Sequence, residues 1–209
     1  TKEQWDHAQS VMAKILDDLD VKYEIGIDEA AFYGPKLDIQ YKNVYGKEDT
    51  LVTIQIDMLL AERFGMYYTD ENGEKTLPYI IHRTSLGCYE RTLAYLIEHY
   101  AGALPTWMAP EQVRFLPVTD RAVDYCKEQA AKLTNQGYRV TVDTRSEKIG
   151  KKIRDAQMEK IPYMLIVGDR DIEAGTVSPR HRADGDLGAM SLDAFAATLK
   201  DVVDSKAQK

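Results

Sequence analysis

The sequence predicts two folded units of different class. Residues 1–108 read as an α+β unit, an antiparallel sheet with helices, and residues 109–209 as an α/β unit with a mixed, largely parallel sheet. Three observations carry this. Residues 23–83 hold short segments of alternating apolar and polar side chains broken by turn signals, the pattern of an antiparallel meander. Pro105 and Pro110 punctuate a short apolar linker. Beyond that linker, strand-like and helix-like segments alternate, as where crossover helices join parallel strands.

Taken in order, residues 3–20 place Trp5, Ala8, Met12, Ile15, Leu16 and Leu19 on one face, an amphipathic helix. A strand over 23–27 follows. Gly34-Pro35 signals a turn, after which Leu37, Ile39 and Tyr41 alternate with Lys36, Asp38, Gln40 and Lys42 as in a half-buried strand. Residues 50–57 are β-branched and alternating, the next strand. Segments 66–69 and 76–83 flank Asn72-Gly73, a hairpin signal. After Gly87, the spacing of Leu93, Leu96, Ile97 and Tyr100 marks a helix that closes at Gly102. The second unit reads as strand 112–118, helix 120–136 with Asp120 at its N-cap, strand 139–142 and helix 148–159. Strand 162–168, strand 175–181 and helix 191–203, capped by Ser191, complete it.

Composition narrows the function classes. A chain that is 44% hydrophobic and 29% charged is ordinary for a soluble protein. No stretch approaches the roughly 20 apolar residues of a membrane helix, so no membrane partner is expected. Two cysteines, Cys88 and Cys126, make no disulfide framework and suit a reducing cytoplasm. The net charge of -7 is unevenly divided: residues 111–209 carry 17 basic and 16 acidic side chains, a balance of +1, leaving 10 and 18, or -8, for residues 1–110. The first half has the charge of an enzyme body, and the second can still hold a basic patch.

The chemistry concentrates in residues 79–109, where the strand Tyr79-Ile80-Ile81 runs into His82-Arg83 and then a helix opening with Glu90-Arg91. Alone, Arg91 reads most simply as half of a surface ion pair, although a guanidinium at a helix start also matches phosphate oxygens. Gly87-Cys88-Tyr89-Glu90-Arg91, followed by a long apolar helix, resembles the third signature motif of the class II aminoacyl-tRNA synthetases. The run from Glu98 to Pro110, the segment Ala31 to Ile39 and Ser146-Glu147-Lys148-Ile149-Gly150 narrow the resemblance to the bacterial threonyl-tRNA synthetases, colinear over essentially all 209 residues.

The resemblance implies a function and a set of residues. Such an enzyme activates L-threonine with ATP and Mg²⁺ to threonyl-adenylate, transfers it to tRNA(Thr), and works as a homodimer. Arg91 corresponds to the arginine that stabilises charge on the ATP triphosphate. Tyr33, Lys36, Thr53, Gln55 and Cys88 fall at threonine- or ATP-binding positions, with Thr53 and Gln55 on one strand face. Read without the family, Tyr33 is a core aromatic, Thr53 and Gln55 a solvent-facing stripe, and His82 a structural histidine. The family makes His82 one of three ligands to a Zn²⁺ that holds threonine, a device that rejects valine better than an apolar pocket can. The other two ligands have no counterpart among these residues, so the zinc site is incomplete. Thr50-Leu51-Val52 stands where the family often carries Trp-Gln-Cys, and Cys88 where many members carry Ser.

Over 109–209 the resemblance is to the anticodon-binding domain of class II synthetases. It places Ser146, Glu147, Lys160, Asp171 and Arg180 at anticodon contacts, with Asp171 and Arg180 reading base edges. Lys148, Lys151, Lys152 and Arg154 put positive charge at the start of one helix, available to phosphate or simply a solvated face. The first and second signature motifs are not found, so the 209 residues are expected to be inactive alone, a part of a longer ligase. Two rivals stand beside this reading: a non-catalytic paralogue that binds tRNA or a protein, and a small ATP-dependent ligase, for which no Gly-x-x-x-x-Gly-Lys-Ser/Thr loop is present. A partial catalytic domain is also expected to expose sheet edges and to associate with other copies.

Overall fold

The computed structural model describes residues 1–208, and the chain divides into two compact units, 1–95 and 96–209. In the first, α1 (Lys2–Asp18) begins at Thr1, whose hydroxyl accepts the Gln4 N–H in a capping box. The strand expected over 23–27 is absent; residues 21–26 are coil and Asp28 has φ +62°. Alternation there is only Tyr23, Ile25 and Ile27, and no neighbouring strand pairs with it, so propensity has nothing to act against.

β1 (Lys36–Lys42) and β2 (Glu48–Asp57) form an antiparallel hairpin, and β2 continues to β5 (Ile80–Arg83) in the order β1-β2-β5. Between them lie the short α2 (Leu60–Arg63) and the two-residue strands β3 (Tyr68–Thr69) and β4 (Lys75–Thr76), which pair with each other around Asn72-Gly73. The single strand expected over 76–83 is thus two, separated by Leu77-Pro78-Tyr79. Pro78 cannot donate to a ladder. The register shifts between Ile39 and Gln40, leaving Leu51 as the extra residue of a bulge in β2. α3 (Tyr89–His99) follows Gly87.

The second unit forms a six-stranded mixed sheet among the described residues, in which β6 (Val113–Pro117) lies one strand in from an edge. β7 (Val140–Val142) and β8 (Tyr163–Val167) flank β6 in parallel, and β9 (Thr176–His181) pairs antiparallel with β8. β10 (Gly185–Asp186) and β11 (Met190–Ser191) both pair with β9. The crossovers are α4 (Val123–Asn135) and α5 (Ile149–Met158); α6 (Asp169–Ala174) joins β8 to β9, and α7 (Leu192–Asp204) closes the unit. Asp120 is not an N-cap. It opens a 3-10 turn over Asp120–Ala122 that leads into α4, with Thr119 before it.

The units differ in how much they bury. The second encloses a core of Val113, Phe115, Cys126, Leu133, Leu165, Val177, Phe195 and Leu199, all inaccessible to solvent, with a smaller cluster of Leu116, Ala156, Ile161 and Met164 on the other face of the sheet. Burial pushes the Cys126 thiol up to about 12, so it packs as an inert thiol. In the first unit the fully buried side chains are small, Ala8, Pro35 and Ala61, with the carboxylate of Asp57. Large apolar side chains stay open there, including Ile25, Ile27, Phe32, Phe64, Ile81 and Tyr89. Among the described residues no helix is long and apolar enough to cross a membrane.

Candidate functional site

The antiparallel ladder of the first unit places five of the predicted residues together. Lys36 lies opposite Gln55, and Gln55 opposite His82; Asp38 lies opposite Thr53. Directly paired residues point to the same face, so Lys36, Asp38, Thr53, Gln55 and His82 share one. The Tyr33 hydroxyl donates to Gln55 Oε1 at 2.6 Å, and its ring lies 6.0 Å from that of His82. Tyr33 is thus not a core aromatic but a fixed neighbour of Gln55. It is held by the turn before β1: Gly34 and Pro35 are buried, and a Cβ at Gly34 would collide with the Ile56 carbonyl. Only glycine admits that approach.

Two carboxylates not singled out in the sequence organise this face. Asp38 accepts from Thr53 Oγ1 at 2.7 Å and ion-pairs with Lys36 Nζ at 2.7 Å. Asp57 is fully buried; its Oδ1 takes the Leu59 and Leu60 N–H groups, each at 2.9 Å, and its Oδ2 lies 3.0 Å from His82 Nε2. Burial pushes the Asp57 carboxyl up, but the bonds from Leu60, His82 and Leu59 outweigh it and hold the group below the usual carboxylate range. A proton on Nε2 satisfies the His82 contact and leaves Nδ1 with its lone pair. The signal for both carboxylates was parity: Asp38 is two residues from Lys36, and Asp57 continues the face of Thr53 and Gln55.

Zinc takes three or four ligands. Among the described residues no three His, Cys, Asp or Glu side chains converge. These residues therefore offer one carboxylate-oriented imidazole and do not make a zinc centre by themselves.

Cys88 and Arg91 stand apart from this cluster. Arg91 makes no ion pair among the described residues; its Nη1 donates to the Thr50 carbonyl at 3.0 Å. Thr50 is five residues from Gln55, roughly 16 Å along an extended strand. Gly87, at φ +64°, sits where any Cβ would strike the carbonyl of Leu51, the bulged residue. The bulge thus receives the turn that opens α3 and sets Arg91 on the edge of β2. Cys88 is exposed and donates to Glu90 Oε2 at 3.2 Å.

In the second unit the carboxyl ends of parallel strands β6, β7 and β8 share one edge of the sheet. Ser146, Glu147 and Lys148 are exposed there, on the loop from β7 to α5, beside Val118 and Thr119 after β6. Glu147 ion-pairs with Lys151. Asp171, after β8, accepts from the Gly168 N–H and the Ser178 hydroxyl at 2.9 Å each and from Thr176 Oγ1 at 3.2 Å, anchoring the start of α6. Arg180 lies opposite Met164 on β8, and its Nε is buried without an acceptor among the described residues. Lys160 precedes β8, at the opposite edge from Ser146. Its backbone has φ +59°, its ammonium donates to the Ala101 carbonyl, and its own carbonyl accepts from Arg182 at 3.0 Å.

One predicted charge is corrected. Lys152 is buried, only 4% exposed, and its ammonium donates to the Pro117 and Asp143 carbonyls at 3.1 Å each. It is no part of a phosphate-attracting face. Lys148, Lys151 and Arg154 remain exposed.

Comparison with known proteins agrees with both units. Residues 2–100 match the family described as the tRNA synthetase class II core domain (G, H, P, S and T), and residues 112–202 the family described as the anticodon binding domain. The chain is similar to threonine–tRNA ligase of Clostridium perfringens strain SM101, 58% identical over 193 residues, covering 92% of this chain and 30% of the relative. The corresponding protein of Clostridium botulinum strain Eklund 17B is 54% identical over 98% of this chain and 32% of its own length. A crystal structure of the RNA binding domain of threonyl-tRNA synthetase from Cryptosporidium parvum Iowa II superposes with a TM-score of 0.86 at 32% identity, over 97% of this chain and 51% of that one. The chain spans about 30% of the length of the curated relatives it matches. It belongs to the class II aminoacyl-tRNA synthetases, joining a class II core segment to an anticodon-binding domain as the threonine–tRNA ligases do.

Proposed function

We propose that these residues are the part of a threonine–tRNA ligase that supplies one wall of the amino-acid pocket, an arginine for ATP, and the reader of the tRNA(Thr) anticodon. The observation that carries the reading is the register that sets Lys36, Gln55 and His82 side by side across three strands, with Tyr33 fixed on Gln55, in a chain colinear with threonine–tRNA ligases.

In this reading Gln55 and Tyr33 form a prearranged polar pair on the threonine side of the pocket. A hydroxyl-bearing substrate satisfies such a pair, and an apolar isostere leaves it unpaired, which is the effective way to discriminate between them. Arg91 sits at a helix start with its guanidinium partly free of protein acceptors. From there it stabilises negative charge as the adenylate forms. His82, oriented by Asp57, offers one ligand toward the zinc of the whole enzyme, where Mg²⁺ accompanies ATP, and the cytoplasm is its compartment. The whole enzyme's aminoacylation and homodimer belong to this proposal too. The 209 residues alone catalyse no threonine-dependent exchange of pyrophosphate into ATP.

The test is binding of the chain to tRNA(Thr) transcript across a salt series, with Arg180→Ala and Lys160→Ala alongside. Preference for the threonine anticodon, a negative salt slope, and weakening by both substitutions are expected. Binding without regard to anticodon, unchanged by either substitution, would refute the anticodon assignment.

A further inference from the structure

We propose that Lys152 is a positioning residue for RNA reading by the loop over residues 144–148, an inference that rests on the anticodon function proposed above. Its ammonium joins two strand ends: Pro117 O closes β6, and Asp143 O follows β7. Those strands are parallel neighbours, with Phe115 opposite Val142, and beyond that point they part to make the cleft beside Ser146, Glu147 and Lys148. Two charge-assisted bonds from one buried cation fix the width of that opening.

The bonds continue outward. Asp143 is itself buried, and its Oδ1 accepts the Arg145 N–H at 3.1 Å and Nε at 2.9 Å, while Oδ2 accepts Nη2 at 2.6 Å. Arg145 Nη1 reaches Asp155 on α5 at 2.9 Å. Lys152, Asp143, Arg145 and Asp155 therefore form one closed path from α5 through the strand ends and back to α5, and the loop residues ride on it. An apolar side chain of the same length would fill the space at less desolvation cost. What it could not do is hold the two carbonyls together. Base discrimination needs a reading group whose position is set before RNA arrives, since a loop free to shift meets a wrong base with substitute contacts and so loses the penalty that separates the two.

The experiment uses the full chain with tRNA(Thr) transcript and the same transcript carrying one altered anticodon base. Lys152→Met, close in length and uncharged, is expected to lower the ratio of the two affinities about tenfold while leaving affinity for the altered transcript within about threefold. Amide exchange over 144–148 should rise while that of β8 does not. Asp155→Asn, on a partly exposed side chain of α5 outside the reading loop, loosens the same path at its far end, and it decides the question in the same way if Lys152→Met does not fold. An unchanged ratio in the folded variants overturns the positioning role, since a purely structural lysine moves stability and not the ratio. Absence of anticodon preference in the unsubstituted chain overturns the anticodon reading, and this inference with it.

Discussion

Replacing Asp57 tests the organisation of the first site most directly. Its carboxylate is buried and serves three donors, the Leu59 and Leu60 N–H groups and His82. Asp57→Ala strands two backbone donors at the start of α2; each buried unsatisfied group costs about 1–3 kcal/mol, and partial access of water to a short surface helix places the total at about 2–4 kcal/mol. Asp57→Asn keeps an oxygen for the two N–H groups and turns a donor toward His82 Nε2, so it should cost only about 1 kcal/mol while forcing the proton of His82 to Nδ1. The pH dependence follows from the depressed carboxyl. Its stabilisation is fully present above the ordinary carboxylate value and is lost as pH falls through the lower folded value, below about pH 4. Asp57→Asn should remove that acid-side loss. Native-state amide exchange across β2, read between pH 3 and 6, measures both quantities. Equal costs for Asp57→Ala and Asp57→Asn, or an undiminished acid-side loss in Asp57→Asn, would refute the account.

Three further outcomes are expected. Gly87→Ala places a Cβ against the Leu51 carbonyl at a backbone angle of +64°; left-handed strain of about 1–2 kcal/mol plus the displacement of β2 should loosen α3 by about 2–4 kcal/mol, seen as faster amide exchange at its first turn. Leu165→Ala empties a site with no solvent exposure at the centre of the second unit, and should lower that unit's denaturant stability by about 3–5 kcal/mol, with β2 protection unchanged. The open apolar side chains of the first unit, Phe32 and Phe64 among them, should drive concentration-dependent association in light scattering, which Phe32→Ser and Phe64→Ser together reduce; a clean monomer at high concentration would count against it.

Much of the site was legible because strand parity is a hard rule. Once Leu37, Ile39 and Tyr41 fix one face of β1, Lys36 and Asp38 must take the other, and Thr53, Gln55 and Asp57 follow on β2. Parity does not reveal register, however. That Gln55 faces both Lys36 and His82 depends on a bulge at Leu51, and nothing local to Leu51 announces it. The absent strand over 23–27 and the break at Pro78 fail for a related reason: a strand exists only where a partner ladder accepts it, and partners lie far away in sequence.

Charge in the second unit shows the same limit more sharply. Lys148, Lys151 and Lys152 stand within five residues of one another, and all read as one basic helix start. The fold separates them by helix angle. Lys152 falls with Ala156 on the side of α5 that packs on the sheet, both being buried, while Lys148 and Lys151 turn outward. A helical wheel places Lys152 with Ile149, Ile153 and Ala156, so its position on the apolar side was available from spacing. Its partners were not, because they are backbone carbonyls at the ends of β6 and β7, and backbone acceptors carry no residue identity. Where a lysine lies on the apolar stripe of a helix that crosses over a parallel sheet, the physical expectation is a tie to strand ends, since a buried ammonium needs oxygen partners and the splayed carboxyl edge has carbonyls free to supply them.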